Sequence, residues 1–235
     1  MRIAGLQKMS LLDYPGKIAC TVFLPGCNFR CPFCHNFELL DTKNAEMDHI
    51  QLLDFLSKRR GILEGVCVTG GEPTLQPELP ELLRSIKQLG FSVKLDTNGY
   101  RPEALKTVVE AGVVDYVAMD VKNGPDGYPA TCGLEQMTLE RIEESLRILL
   151  EDRVDYELRS TVVLPLHTDP SILQMAEWVS NLSEKKAKRW FLQPFVDRDT
   201  VPFAGLAAPD RETLVRWKGY LSATAEHASI RGIEE

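Results

Sequence analysis

Residues 19–36 read ACTVFLPGCNFRCPFCHN. The apolar run at 19–26 predicts a strand, and it leads directly into Cys27, Cys31 and Cys34, spaced CxxxCxxC. Three thiolates can hold a cubic iron–sulfur cluster by three of its irons, which leaves the fourth iron without a protein ligand. An open iron implies chemistry at the cluster rather than electron carriage alone. A zinc site would ordinarily bring further Cys or His ligands. His35 adjoins Cys34, and adjacent side chains seldom converge on one ion. Cys20, Cys67 and Cys132 are scattered without pair spacing, and Cys20 and Cys67 lie in apolar runs as small core residues. So few cysteines in 235 residues do not make a disulfide scaffold.

Outward from this stretch, apolar runs and amphipathic segments alternate. Strands are expected at 19–26, 65–71, 91–99, 114–122, 154–165 and 188–195. Helices are expected at 46–60, 79–90, 102–111, 138–151, 170–183 and 210–228. Six strand-then-helix units imply an α/β fold with parallel strands and right-handed crossovers. Polar residues recur where strands end, namely Glu72, Asp96, Asp120, Lys122 and Gln193. In barrel-like α/β folds that edge carries the active site. A doubly wound sheet would give a similar string, so periodicity alone leaves the topology open. No linker or repeat divides the chain, so residues 1–235 are expected to form a single domain. Residues 1–18 form an N-terminal extension and 210–228 a last helix.

With 44% apolar residues the chain is expected to be an ordinary globular protein. No apolar stretch approaches the ~20 residues needed to cross a bilayer. The N-terminal MRIAGLQKMSLLDYPGK has no signal-peptide core. A cytoplasmic location without membrane attachment is therefore expected. A net charge of −7 disfavours a nucleic-acid binder. The basic runs at 58–61 and 185–189 read as solvated helix ends.

The cysteine loop resembles that of the radical S-adenosylmethionine (radical SAM) superfamily at every spacing. GGEP at 70–73, DTNG at 96–99 and MDVK at 119–122 extend the resemblance. It implies a six-stranded partial (β/α)6 TIM-like barrel, one 4Fe–4S cluster on Cys27, Cys31 and Cys34, and S-adenosylmethionine (SAM) as cofactor. It further implies reductive cleavage of SAM to methionine and a 5′-deoxyadenosyl radical, which abstracts hydrogen from a substrate. By the same resemblance Phe33 helps seat the adenine and Asn36 orients the cluster end or the cofactor. Gly70 and Gly71 expose carbonyls to the methionyl ammonium, and Glu72 adds negative charge toward it. Asp96 and Asp120 help hold a monovalent cation beside the methionyl carboxylate. Lys122 supplies a positive charge nearby, and Arg159 pairs with that carboxylate or with an active-site acid.

SLLDYPGK at 10–17, followed by LPGCNFRCPFCHN, is similar to the glycyl-radical-enzyme activases, and to the activating proteins of anaerobic ribonucleoside-triphosphate reductase in particular. This implies a glycyl-radical enzyme as protein substrate and a flavodoxin or ferredoxin as electron donor. Asp13 would meet the backbone of the partner's glycine loop. Tyr14 and Lys17 depart from the activase pattern, which has glycine and arginine there. Val196 stands where pyruvate formate-lyase activase has a histidine on the cofactor ribose, with Gln193, Asp197 and His167 as polar substitutes. Without a cysteine-rich tail, one cluster is expected. The rival readings are a radical enzyme acting on a small molecule and a non-enzymatic iron–sulfur module. GGEP, DTNG and MDVK argue against the module, because an electron carrier needs no cofactor cradle.

Overall fold

Short apolar runs become strands, and the amphipathic stretches between them become helices that cover those strands. The computed structural model describes residues 1–41 and 45–232. They fall into two compact units: Met1–Asn28, Glu38–Ala118 and Arg153–Asp155 in the first, and Phe29–Phe37, Met119–Asp152 and Tyr156–Glu235 in the second.

The first unit contains β1 (Arg2–Ile3), β2 (Gly5–Ser10), β3 (Ala19–Leu24), β4 (Met47–Asp48), α1 (His49–Ser57), β5 (Gly65–Gly70), α2 (Leu79–Gln88), β6 (Ser92–Thr97), α3 (Pro102–Glu110) and the start of β7 (Tyr116–Asp120). β3 pairs parallel with β5, and β5 with β6, with Leu24 opposite Gly70 and Val68 opposite Leu95. Strands covered on both faces read as continuous apolar runs, as GVCV does here. α2 buries Leu79, Leu82, Leu83 and Ile86, the i, i+3, i+4, i+7 stripe of an amphipathic helix. α1 starts on a reciprocal cap: Gln51 N–H donates to the Asp48 carboxylate, and Asp48 N–H donates to Gln51 Oε1, each at 2.9 Å.

The second unit contains the end of β7, α4 (Tyr128–Cys132), α5 (Leu139–Leu150), all but the first residue of β8 (Asp155–Val162), α6 (Asp169–Ser180), β9 (Ala187–Pro194), α7 (Arg211–Ser222) and β10 (Ala225–Ile230). β8, β9 and β10 are parallel neighbours, with Thr161 opposite Gln193. Trp190 is fully buried on β9. Its indole N–H donates to Ser160 Oγ at 3.0 Å, and that hydroxyl donates to the Val121 carbonyl at 2.7 Å. The polar atoms of this core are thereby paired.

β7 belongs to both units, and the strand order is β10-β9-β8-β7-β6-β5-β3-β2. The six strand-then-helix units are present, and the fold is α/β of the partial (β/α)6 barrel kind.

Four elements differ from expectation. Residues 1–18 carry two strands, one of which, β2, adds antiparallel to β3. Residues 47–48 are extended and pair with β1 before α1 begins. The last helix stops at Ser222, and β10 follows it parallel to β9. Its AEHASI sequence is polar, with only Ala225 and Ile230 fully buried, so the strand pattern is faint. α4 is one turn within 128–132. Among the described residues no helix is long and apolar enough to cross a membrane.

Candidate active site

In the first unit, the turns after β3, β5 and β6 are tied together. Gly71 N–H donates to the Leu24 carbonyl at 2.9 Å, and Glu72 N–H to the Gly26 carbonyl at 2.8 Å. Side chains are excluded here. A Cβ on Gly71 would lie 2.0 Å from the Gly26 oxygen, and one on Gly70, where φ is +124°, 2.3 Å from the Leu24 oxygen. The glycine pair thus locks the chain immediately before Cys27.

The resemblance leads one to expect Glu72 to add negative charge toward the methionyl ammonium; in the structure its carboxylate is taken up by protein donors. Glu72 is 0% exposed. Oε1 accepts from Thr74 N–H (3.1 Å), Thr74 Oγ1 (2.5 Å) and Thr97 Oγ1 (2.7 Å), and Oε2 accepts from Asn98 N–H (2.7 Å). Burial pushes its pKa up against these bonds. Its role is to brace GGEP against DTNG.

Asn98 is a site residue that sequence reading missed, although it lies inside DTNG. Its Nδ2 donates to Asn28 Oδ1 at 2.9 Å and approaches Cys27 Sγ at 3.8 Å. At the end of β6, Asp96 is ion-paired with the buried Lys94.

Asp13 accepts Thr21 Oγ1–H at 2.5 Å, and its own N–H donates to Ser10 Oγ at 3.2 Å. Tyr14 turns into the core. Its ring packs against Tyr116, with centroids 6.1 Å apart, and covers Gly65, where a Cβ would come within 2.8 Å. The departure from glycine at position 14 therefore fills the core of this unit.

In the second unit, Asp120 is the centre of charge. Lys122 Nζ donates to Oδ2 at 2.8 Å and Arg159 Nε to Oδ1 at 3.0 Å. Burial alone would raise the Asp120 pKa, but the two cations and their hydrogen bonds hold it at about 2. Burial likewise opposes the Lys122 charge, and Asp120 and Cys31 outweigh it, lifting the Lys122 pKa. The ammonium also lies 5.9 Å from the centroid of Phe33, whose ring is buried. His167 is buried rather than offered to a ligand. Its Nε2 meets the Lys122 carbonyl at 2.8 Å, and Val163 N–H donates to Nδ1 at 3.1 Å. This pattern assigns the Nε2–H tautomer.

Cys31 is brought down to about 7, chiefly by a hydrogen bond with Cys132, against burial and with help from Lys122. Burial pushes Cys34 up, against the Asn36 backbone N–H that bonds its sulfur and the Lys122 charge. Asn36 therefore acts on the cysteine loop through its backbone. Cys132 was not expected here. α4 brings it in: Arg30 N–H donates to the Cys132 carbonyl at 2.8 Å, and Gly133, at φ +66°, would clash with the Arg30 oxygen if it carried a Cβ. No sequence spacing signals this. His35 stacks on Phe195 and its Nε2 meets the Val196 carbonyl at 2.7 Å, which fixes the segment after β9. Val196 itself is exposed, and Gln193 is half-buried on β9.

The sequence model of the Radical SAM superfamily matches residues 21–179, which include the cysteine loop, GGEP, DTNG, MDVK and Arg159. The chain belongs to the radical SAM superfamily. Its radical SAM relatives have several functions. A Methanocaldococcus jannaschii protein, named as a candidate glycyl-radical enzyme activating enzyme, is 31% identical over 204 residues, covering 84% of this chain and 81% of the relative. The pyruvate formate-lyase-activating enzyme of Clostridium pasteurianum is 33% identical over 139 residues, covering 56% of this chain and 57% of its own length. A 7-carboxy-7-deazaguanine synthase of Thermococcus kodakarensis is 28% identical over 157 residues, covering 58% and 60%. In fold, a domain of pyruvate-formate lyase-activating enzyme from Bacteroides vulgatus superposes with a TM-score of 0.58 at 22% identity, covering 72% of this chain and 99% of that one.

Radical SAM membership implies a 4Fe–4S cluster and SAM. The cysteine loop fits a cluster. It has three thiols, and the Asn28 Nδ2 beside Cys27 is buried with no hydrogen-bond partner. An acceptor such as a cluster sulfur is what that donor lacks. Among the described residues no group of three or more His, Cys, Asp or Glu side chains is gathered to hold one ion. A cube is compatible with that, since its thiolates bind different irons and stand wider apart than ligands of one ion. The expected monovalent cation fits less well, because Asp96 and Asp120 are each already ion-paired with side-chain cations.

Proposed function

We propose that this chain is a glycyl-radical-enzyme activase, with anaerobic ribonucleotide reductase as the leading partner. Bound in the cysteine loop, a reduced cluster and SAM would supply a 5′-deoxyadenosyl radical that takes a hydrogen atom from the partner's glycine. The observation that carries this reading is the extent of the match to the M. jannaschii protein, which runs through four-fifths of both chains.

In this reading Cys27, Cys31 and Cys34 hold the cluster, and the Gly70–Gly71 turn offers its backbone to the methionyl ammonium. Lys122 and Arg159, both held on Asp120, bring positive charge toward the methionyl carboxylate. Phe33, Asn36 and Gln193 contribute to the cofactor's surroundings. Asp13, held by Thr21 and flanked by the exposed Leu11 and Leu12, faces the partner. A flavodoxin or ferredoxin delivers the electron.

The similarity to a 7-carboxy-7-deazaguanine synthase supports a second reading, a radical enzyme acting on a small molecule. Anaerobic EPR separates the two. Reduced holoprotein is mixed with SAM and the candidate reductase. A glycine-centred doublet on the reductase, with matching 5′-deoxyadenosine release, is the expected result. SAM cleavage without the doublet would favour the small-molecule reading.

A further inference from the structure

Lys94 is 2% exposed, an unusual place for an ammonium. It stands two residues before Asp96 on β6, so the pleat puts both side chains on the same face. Its Nζ is ion-paired with Asp96 Oδ1 and lies 3.7 Å from Sγ of Cys67, its register partner on β5. Packing on both strands therefore holds the ammonium against the carboxylate. The pair is neutral. A metal ion approaching Asp96 would have to share a carboxylate already carrying a fixed positive charge, and like charges repel strongly where water is excluded. In the second unit, Asp120 likewise carries Lys122 on one oxygen and Arg159 on the other.

We propose that Lys94 takes the place of the monovalent metal cation, so that SAM binds this protein without one. The Lys94 ammonium, ion-paired with Asp96, offsets the charge that would otherwise repel the methionyl carboxylate. This rests on SAM binding beside Asp96, as the proposed function requires.

The test is anaerobic calorimetric titration of SAM into the reconstituted holoprotein, in choline chloride and in potassium or sodium chloride at equal ionic strength. Wild-type affinity is expected to agree within about twofold across the three salts. The Lys94→Met variant is expected to bind about tenfold more weakly in choline and to recover part of that loss in potassium or sodium. Wild-type binding that tightens about tenfold with a metal cation overturns the inference, and so does a Lys94→Met variant with unchanged, salt-independent affinity. Should the variant fail to fold, the wild-type comparison alone decides. Absence of SAM binding in every salt overturns the SAM assignment itself, and this inference with it, which distinguishes that failure from cation-dependent binding.

Discussion

The Glu72 carboxylate accepts the Asn98 backbone N–H at 2.7 Å, joining the turn after β5 to the turn after β6. In all four of its side-chain hydrogen bonds the Glu72 carboxylate is the acceptor. Glu72→Gln keeps the shape but turns an NH2 group toward protein donors. The variant should lose about 1–3 kcal/mol of stability. In urea its midpoint should fall with an unchanged slope. SAM affinity should fall with it, because Asn98, which contacts Asn28 and approaches Cys27, is no longer held.

Glycine substitutions at two positions should have opposite effects. Gly71→Ala places a methyl 2.0 Å from the Gly26 oxygen and must displace the backbone before Cys27. A loss of about 1–3 kcal/mol is expected, with reduced iron content after reconstitution. Gly219, inside α7, has open space around its Cβ position. Gly219→Ala should gain about 0.5–1 kcal/mol, read from thermal melts.

Four of the chain's cysteines are tied to the cluster loop, and their roles separate on substitution. Cys27→Ala, Cys31→Ala or Cys34→Ala should abolish reductive SAM cleavage and leave little bound iron. Cys132→Ala should retain iron, because the proposed ligands are the three loop cysteines and Cys132 bonds Cys31 from outside that set. Iron analysis and 5′-deoxyadenosine release after dithionite reduction check both outcomes. Cleavage retained without one of the three loop cysteines would refute the cluster assignment.

His167 makes stability fall in mild acid. Burial lowers its pKa from the ordinary histidine value, against its bonds to Lys122 and Val163. As pH falls below about 6.5, the unfolded chain binds a proton that the folded chain refuses, so stability drops by up to about 1.4 kcal/mol per pH unit until the folded pKa is reached. Urea midpoints between pH 7 and pH 5 for the wild type and His167→Gln should show the slope only in the wild type.

Asp13→Asn should separate partner recognition from cofactor chemistry. SAM cleavage in the absence of partner should change by less than about threefold, since Asp13 bonds only Ser10 and Thr21 among the contacts described above. Glycyl-radical yield on the partner should fall by about tenfold or more. Equal losses in both assays would contradict a partner-facing role.

The cysteine spacing, the six strand-then-helix units and the polar strand ends were legible because each is local. A loop's ligand spacing and a strand's apolar period are properties of neighbours in sequence. β10 was not legible, because AEHASI has a weak strand period and forms against β9. Nor were three directions that side chains take. Tyr14 turns inward because Gly65 leaves room for its ring. Glu72 is buried because Thr74, Thr97 and Asn98 supply its donors. Lys94 is buried because β6 lies in register with β5, which sets its ammonium near Cys67 and beside Asp96. Cys132 meets Cys31 only because α4 folds back onto the cysteine loop. The sequence by itself thus determined the superfamily and the order of the six strand-then-helix units. Which acids already carry a cation, and which polar groups are consumed in bracing the turns, was decided only by tertiary structure, because strand register and burial set the partners available to each buried charge.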